Sequence, residues 1–290
     1  MSPRDCSVRS INRHGFHTLR YRDWGDPDSD RTVLCFHGLT RNSHDFDPLA
    51  KSMSRDHRVV CPDIVGRGRS DWLARDSGYH LVQYNFDAAL LAARVGAPHY
   101  GWIGTSLGGL MGISLAGMEN SPISRLVIND IAPEIPLPAL RRVSRYIRNK
   151  TFEDLESAEA HLRETLAPFG PMTDRDWKRM VQTSTYRDQD GIRMAFDPGI
   201  FSNFQNYWLM SHFNLWRYWE RITCPVLILR GTESDFLPSH LLDKMIDRLP
   251  HADVIEFENV GHTPTLNAAE QIEPVLAWWR GAAGYKTTSP

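Results

Sequence analysis

Short runs that are apolar on both faces recur along the first half of the chain, and they limit its fold more than any other feature. They lie at Thr32 to Phe36, Arg58 to Cys61, Tyr100 to Ile103 and Arg125 to Ile128. A strand with no polar face has to be covered on both sides, which is the situation of a parallel sheet flanked by helices. The residues between the runs carry helical periodicity. Tyr84, Ala88, Leu91 and Val95 share one stripe, and Leu107 to Met118 is small and apolar all round, as suits a helix packed tightly on a sheet. Ahead of the first run, Ser7 to Asn12 and Phe16 to Trp24 flank His14-Gly15 and read as a hairpin.

The pattern changes near Ile131-Ala132-Pro133. From Glu134 to about Arg221 the periodicity is helical, prolines punctuate the stretch, and no buried-strand run occurs. Thr151 with Asp154, and Thr173 with Asp176, have the spacing of helix-capping boxes. Strand character returns at Pro225 to Leu229 and at Val254 to Phe257. A last helix follows, with Asn267 as its cap and Ile272, Val275, Leu276 and Trp279 as its inward stripe. The expected organisation is an α/β core of residues 1–133 and 222–290, interrupted by a helical lid over 134–221.

The chain has 290 residues, 41% hydrophobic and 23% charged, with a net charge of -2. That balance suits a globular protein with a sizeable core and argues against nucleic acid or a membrane surface as partner. The polar N-terminus lacks the apolar core of a signal peptide, and the longest apolar runs are too short to span a bilayer. The cysteines, Cys6, Cys35, Cys61 and Cys224, have no metal-like spacing and read as small buried hydrophobes in a reducing cytoplasm.

Gly104-Thr105-Ser106-Leu107-Gly108 is a G-x-S-x-G pentapeptide. In a chain of this length such a match arises by chance about 0.1 times. Its setting makes it specific: it follows an apolar strand and opens a small-residue helix, the strand–elbow–helix context that holds a serine clear of the sheet edge. A helix N-terminus also favours negative charge developing beside Ser106. A serine hydroxyl becomes a strong nucleophile only when a base takes its proton. Of twelve histidines, His262 in Asn259-Val260-Gly261-His262-Thr263-Pro264 lies between the last strand and the last helix, where a loop can deliver an imidazole.

The base in turn needs an acid to set its tautomer. Asp235 follows the next-to-last strand and gives the chain order serine, acid, histidine, so it is the preferred candidate. Asp130, at the end of the strand after Ser106, and Glu233 compete for the same role. Backbone N–H groups of Leu107 and of the His37-Gly38-Leu39-Thr40 loop, most simply that of Leu39, are placed to hold an oxyanion. Arg41, Asn42 and His44 follow on that loop. Asp63 to Asp71 (DIVGRGRSD) lacks the ending of a phosphate loop and reads as a turn supporting the elbow.

Together FHGLTRN, PDIVGRGRSD, GTSLGG, RGTESD and VGHTP stand in the order and rough spacing of the α/β-hydrolase superfamily, and the chain resembles its lid-bearing bacterial carboxylesterases. The resemblance covers the whole chain. It implies a mostly parallel eight-stranded sheet, a helical lid, no cofactor, and a triad of Ser106, Asp235 and His262 with oxyanion amides from Leu39 and Leu107. It implies hydrolysis of a small, largely apolar carboxylic ester. The same machinery also serves enol-lactonases, C–C bond hydrolases and perhydrolase or haloperoxidase side activities, and a slow-turnover ligand sensor is the reading from outside catalysis. Substrate selection is expected in the lid, where nine aromatics crowd Ala195 to Glu220; His37, Arg41, Phe204, Trp208 and Trp216 are candidate pocket residues. Arg141, Arg142, Arg145 and Arg148 share a helical face, which is either solvated or aimed at a substrate carboxylate. Substrates of enol-lactonases and C–C bond hydrolases usually carry a free carboxylate, so a lid arginine pointing into the pocket favours that rival reading.

Overall fold

The structure, a computed structural model, describes residues 2–146, 150–201, 214–281 and 286–287. The expected hairpin is β1 (Arg4–Asn12) and β2 (Gly15–Trp24), paired antiparallel. The apolar runs become β3 (Thr32–Phe36), β4 (Arg58–Pro62), β5 (Tyr100–Thr105) and β6 (Ile123–Asn129). After the insertion come β10 (Val226–Gly231) and β11 (Ala252–Phe257). The sheet order is β1-β2-β4-β3-β5-β6-β10-β11, closed by a two-residue β12 (Lys286–Thr287) beyond the eight longer strands. From β4 to β11 every pairing is parallel. The carboxyl ends of β3, β5, β6, β10 and β11 therefore share one edge, where loops from distant parts of the chain meet.

Alternate residues of each strand feed two separate cores, which explains why the runs have no polar face. Val33, Cys35, Ile103, Val127 and Leu229 pack beneath α1 (Asp47–Met53) and the C-terminal helix Ala269–Trp279. Leu34, Phe36, Trp102, Leu126 and Ile128 pack beneath α2 (Leu81–Arg94) and α3 (Leu107–Ala116) on the other face. Cys35 and Cys61 are buried free thiols within this sheet, and burial pushes the Cys61 thiol up from its ordinary range.

The segment between β6 and β10 holds α4 (Leu137–Tyr146), α5 (Leu155–Thr165), α6 (Asp174–Ser184) and the single turn α7 (Trp216–Trp219). It is less purely helical than its periodicity suggests. Strands β7 (Thr151–Phe152), β8 (Thr185–Asp188) and β9 (Gly191–Met194) make a small antiparallel sheet. Gln189-Asp190 makes the two-residue turn between β8 and β9, and Asp190-Gly191 at the entry to β9 is a hairpin signal within the otherwise helical pattern. Thr173 and Asp176 do form a capping box; the first cap is Asp154 with Ser157, because Thr151 is taken into β7. After the insertion, α8 (Ser239–Arg248) and α9 (Ala269–Trp279) complete the core. Ala268, not Asn267, caps α9, and the stripe Ile272, Val275, Leu276 and Trp279 is buried as expected. Among the described residues no helix is long and apolar enough to cross a membrane.

Candidate active site

Ser106 sits between β5 and α3 with φ 50° and ψ -107°, a backbone conformation that L-residues rarely adopt. The two motif glycines make this turn possible. A side chain at Gly104 would collide with the backbone of Gly108 and Gly109, and one at Gly108 with the Phe36 carbonyl at the end of β3. Trp102 beneath them donates its indole N–H to the Gly108 carbonyl at 2.9 Å and stacks on Phe36, fixing the start of α3 against the sheet.

His262 Nε2 lies 3.0 Å from Ser106 Oγ, and Nδ1 lies 2.7 Å from Asp130 Oδ2. A carboxylate only accepts, so Nδ1 carries the proton and Nε2 is left to accept from the serine hydroxyl. Asp130 is completely buried just past β6, at φ 59°. Its other oxygen accepts from the Gly231 N–H at 3.1 Å, and Oδ2 also accepts from the Ser234 hydroxyl at 2.6 Å. Ser234 Oγ in turn accepts from the N–H groups of Phe236 and Leu237, which folds the loop after β10 inward. Phe236 stacks on the His262 ring, with centroids 3.9 Å apart.

The expectation that Asp235 faces the histidine is corrected by this geometry. Asp235 turns away from His262 and makes a two-point ion pair with Arg142 of α4, at 2.5 and 2.7 Å. Its side chain is 38% exposed. Its neighbours Ser234 and Phe236 occupy the inward positions of the loop, so Asp235 is left to face the insertion. Glu233 is not at the histidine either; its N–H donates to the Val260 carbonyl and steadies the His262 loop.

Leu39 and Leu107 border the same cavity as Ser106. Arg41 N–H donates to the Gly38 carbonyl, closing a turn with Leu39 and Thr40 at its tip, and a side chain on Gly38 would stand 3.8 Å from Ser106 Cβ. His37, expected at the pocket, lies beneath this turn instead. It is fully buried, accepts from the Ile64 N–H at 2.9 Å and donates through Nδ1 to the Gly38 carbonyl at 2.7 Å. Burial pushes its pKa down to about 4, so a neutral ring props the loop. Arg67, also fully buried, donates to the Leu39 carbonyl at 2.8 Å and packs its guanidinium against Tyr84. The DIVGRGRSD turn thus supports the Leu39 loop more directly than the elbow.

The cavity measures about 740 Å³. Insertion residues such as Leu140, Val143, Leu162, Phe169 and Met180 cover it, and Phe169 meets the His262 ring edge-on. Arg41 reaches it but is held by Asp45 at 2.6 and 3.0 Å. Trp216, a predicted pocket residue, is elsewhere: its N–H donates to Glu134, and Lys244 and Arg248 lie over its ring. It therefore anchors the insertion to α8. Phe204 and Trp208 lie outside the described residues, as does Arg148.

Residues 33–274 match the family described as alpha/beta hydrolase. The chain belongs to the α/β-hydrolase family. It is 37% identical to the 3-hydroxybutyrate-oligomer hydrolase of Cupriavidus necator, over 97% of this chain and 99% of that one. It is 28% identical to the 2-(acetamidomethylene)succinate hydrolase of Mesorhizobium japonicum, over 84% and 85% of the two chains. Among solved structures it resembles an alpha/beta hydrolase from Novosphingobium aromaticivorans, with a TM-score of 0.85 and 32% identity over 95% and 98% of the chains.

In this hydrolase, two residues at the site escaped the sequence reading. Ser234 holds the buried carboxylate, and Asn129 donates to Thr105 Oγ1 at 3.2 Å and to the Pro264 carbonyl at 2.8 Å, tying the elbow strand to the His262 loop. The only signal for either was a small polar residue directly beside a candidate acid.

Proposed function

We propose that this hydrolase cleaves carboxylic esters through an acyl-enzyme, with Ser106 as nucleophile, His262 as general base and Asp130 as the acid that orients it. The observation that carries the reading is the unbroken relay from Ser106 Oγ to His262 at 3.0 Å and on to Asp130 at 2.7 Å. His262 takes the serine proton as Oγ attacks the carbonyl carbon, and buried Asp130 stabilises the imidazolium. The carbonyl oxygen becomes an anion at the N-terminus of α3, where the N–H groups of Leu107 and Leu39 receive it. His262 then gives its proton to the departing alcohol, and a water activated by the same ring releases the acid.

The relative and the cavity together support a substrate class. An oligomer of 3-hydroxybutyrate is a chain of carboxylic esters, and the relative named for it is similar along its full length. The wall of the cavity is mainly apolar and spacious enough for more than one such unit. We therefore take linear hydroxyacid oligoesters as the natural class. A panel of p-nitrophenyl esters, hydroxyacid oligomers, lactones and dienoates tests this. Wild type should turn over the esters, and Ser106→Ala should lower kcat by at least about 10⁴-fold. Equal turnover by the variant, or none by wild type, defeats the reading.

A further inference from the structure

The cavity wall carries a charge that nothing in the wall matches. Among the described residues that border it, the arginines are Arg41 and Arg179 and the only carboxylate is Asp45. Asp45 grips Arg41 at two points. His44 also borders the cavity, but burial, reinforced by the Arg22 charge, lowers its pKa to about 4, so it is neutral near pH 7. Arg179 is left as the cation with no carboxylate partner in the cavity wall, its ion pair being with Asp176 outside that wall. It stands on α6 of the insertion, 35% exposed, and its nearest carboxylate, Asp176 Oδ1, is 3.6 Å away. Asp176 is itself engaged in the capping box at the start of α6.

One further contact fixes the guanidinium. Nη2 donates to Asn267 Oδ1 at 2.8 Å, and Asn267 belongs to the cavity-lining loop that begins at His262. The cation is thereby tied to the wall on the histidine side. A planar guanidinium held at one nitrogen keeps a fixed fork of donors for a planar oxyanion.

We propose that Arg179 binds the free carboxylate of the substrate and so selects linear esters that end in an acid. This rests on the ester-hydrolase reading above and adds a specificity residue to it. A hydroxyacid oligoester has many ester carbonyls but one carboxylate terminus. Anchoring that terminus sets which ester reaches Ser106, and it favours oligomers over neutral esters of equal length.

The test compares the free-acid trimer of 3-hydroxybutyrate with its methyl ester, as the ratio of their kcat/KM values. The ratio is independent of the fraction of enzyme correctly folded. Wild type should favour the free acid by about 10- to 100-fold, the range of a charge-assisted hydrogen-bond pair. Arg179→Gln should bring the ratio close to one, and Arg179→Lys should keep part of the preference. A wild-type ratio near one overturns the proposal even if neither variant folds, and so does a ratio that Arg179→Gln leaves unchanged. Failure to hydrolyse both trimers would instead bring down the ester-hydrolase reading on which the proposal stands.

Discussion

Asp130 and Asp235 both follow strands at the same edge of the sheet, yet they have opposite surroundings. Asp130 is fully buried and accepts from a backbone N–H, a serine hydroxyl and the His262 ring. Asp235 is 38% exposed and is held by a two-point ion pair with Arg142 of the insertion. A carboxylate that orients a base has to be held by donors already in place, since it cannot reorganise during the reaction. An exposed ion pair contributes about 0–1 kcal/mol and is weakened by salt. Proximity to the right strand end is therefore a weak criterion for the acid; the prearranged donors around it are the strong one.

The sharpest break of this comparison is Asp130→Asn. The amide places a donor against Nδ1 and favours the wrong imidazole tautomer, so kcat should fall by about 10³- to 10⁴-fold while the fold survives. Steady-state kinetics with a soluble ester measures it, and near-normal turnover would return the role to another acid. Ser234→Ala removes one donor from Asp130 and should lower kcat/KM by about 10- to 150-fold, the effect of one hydrogen bond to a charged group. An effect as large as that of Asp130→Asn would mean the loop itself had collapsed. Asp235→Asn is expected to change kcat by less than about 3-fold and the melting temperature by no more than about 3 °C, as for other exposed ion pairs. A loss there comparable with that at Asp130 would reverse the comparison.

The two carboxylates also mark where the sequence stops being informative. The strand-to-helix setting of Ser106 was legible because strand and helix periods differ and because only glycine fits at 104 and 108. The position of His262 was legible because it stands in the loop between β11 and α9. Which carboxylate meets His262 was not, since Asp130 and Asp235 each follow a strand at the same sheet edge. His37 was misplaced for a related reason: a histidine next to a tight turn at the cavity looks the same in sequence whether it faces the cavity or supports the turn from below. Trp216 was one aromatic among nine, and its packing against Lys244 and Arg248 of α8 depends on residues far along the chain.

Periodicity and steric demands by themselves determined the parallel sheet and the strand-to-helix turn at Ser106, because each depends on residues a few positions apart. Tertiary structure decided what depends on strand neighbours. β6 lies beside β10, so Asp130 meets the N–H of Gly231 and the hydroxyl of Ser234. The insertion folds back over that edge, so Arg142 takes Asp235 and Arg179 enters the cavity wall. These contacts join residues separated by about a hundred positions or by the whole insertion, and only the packed sheet brings them within hydrogen-bonding distance.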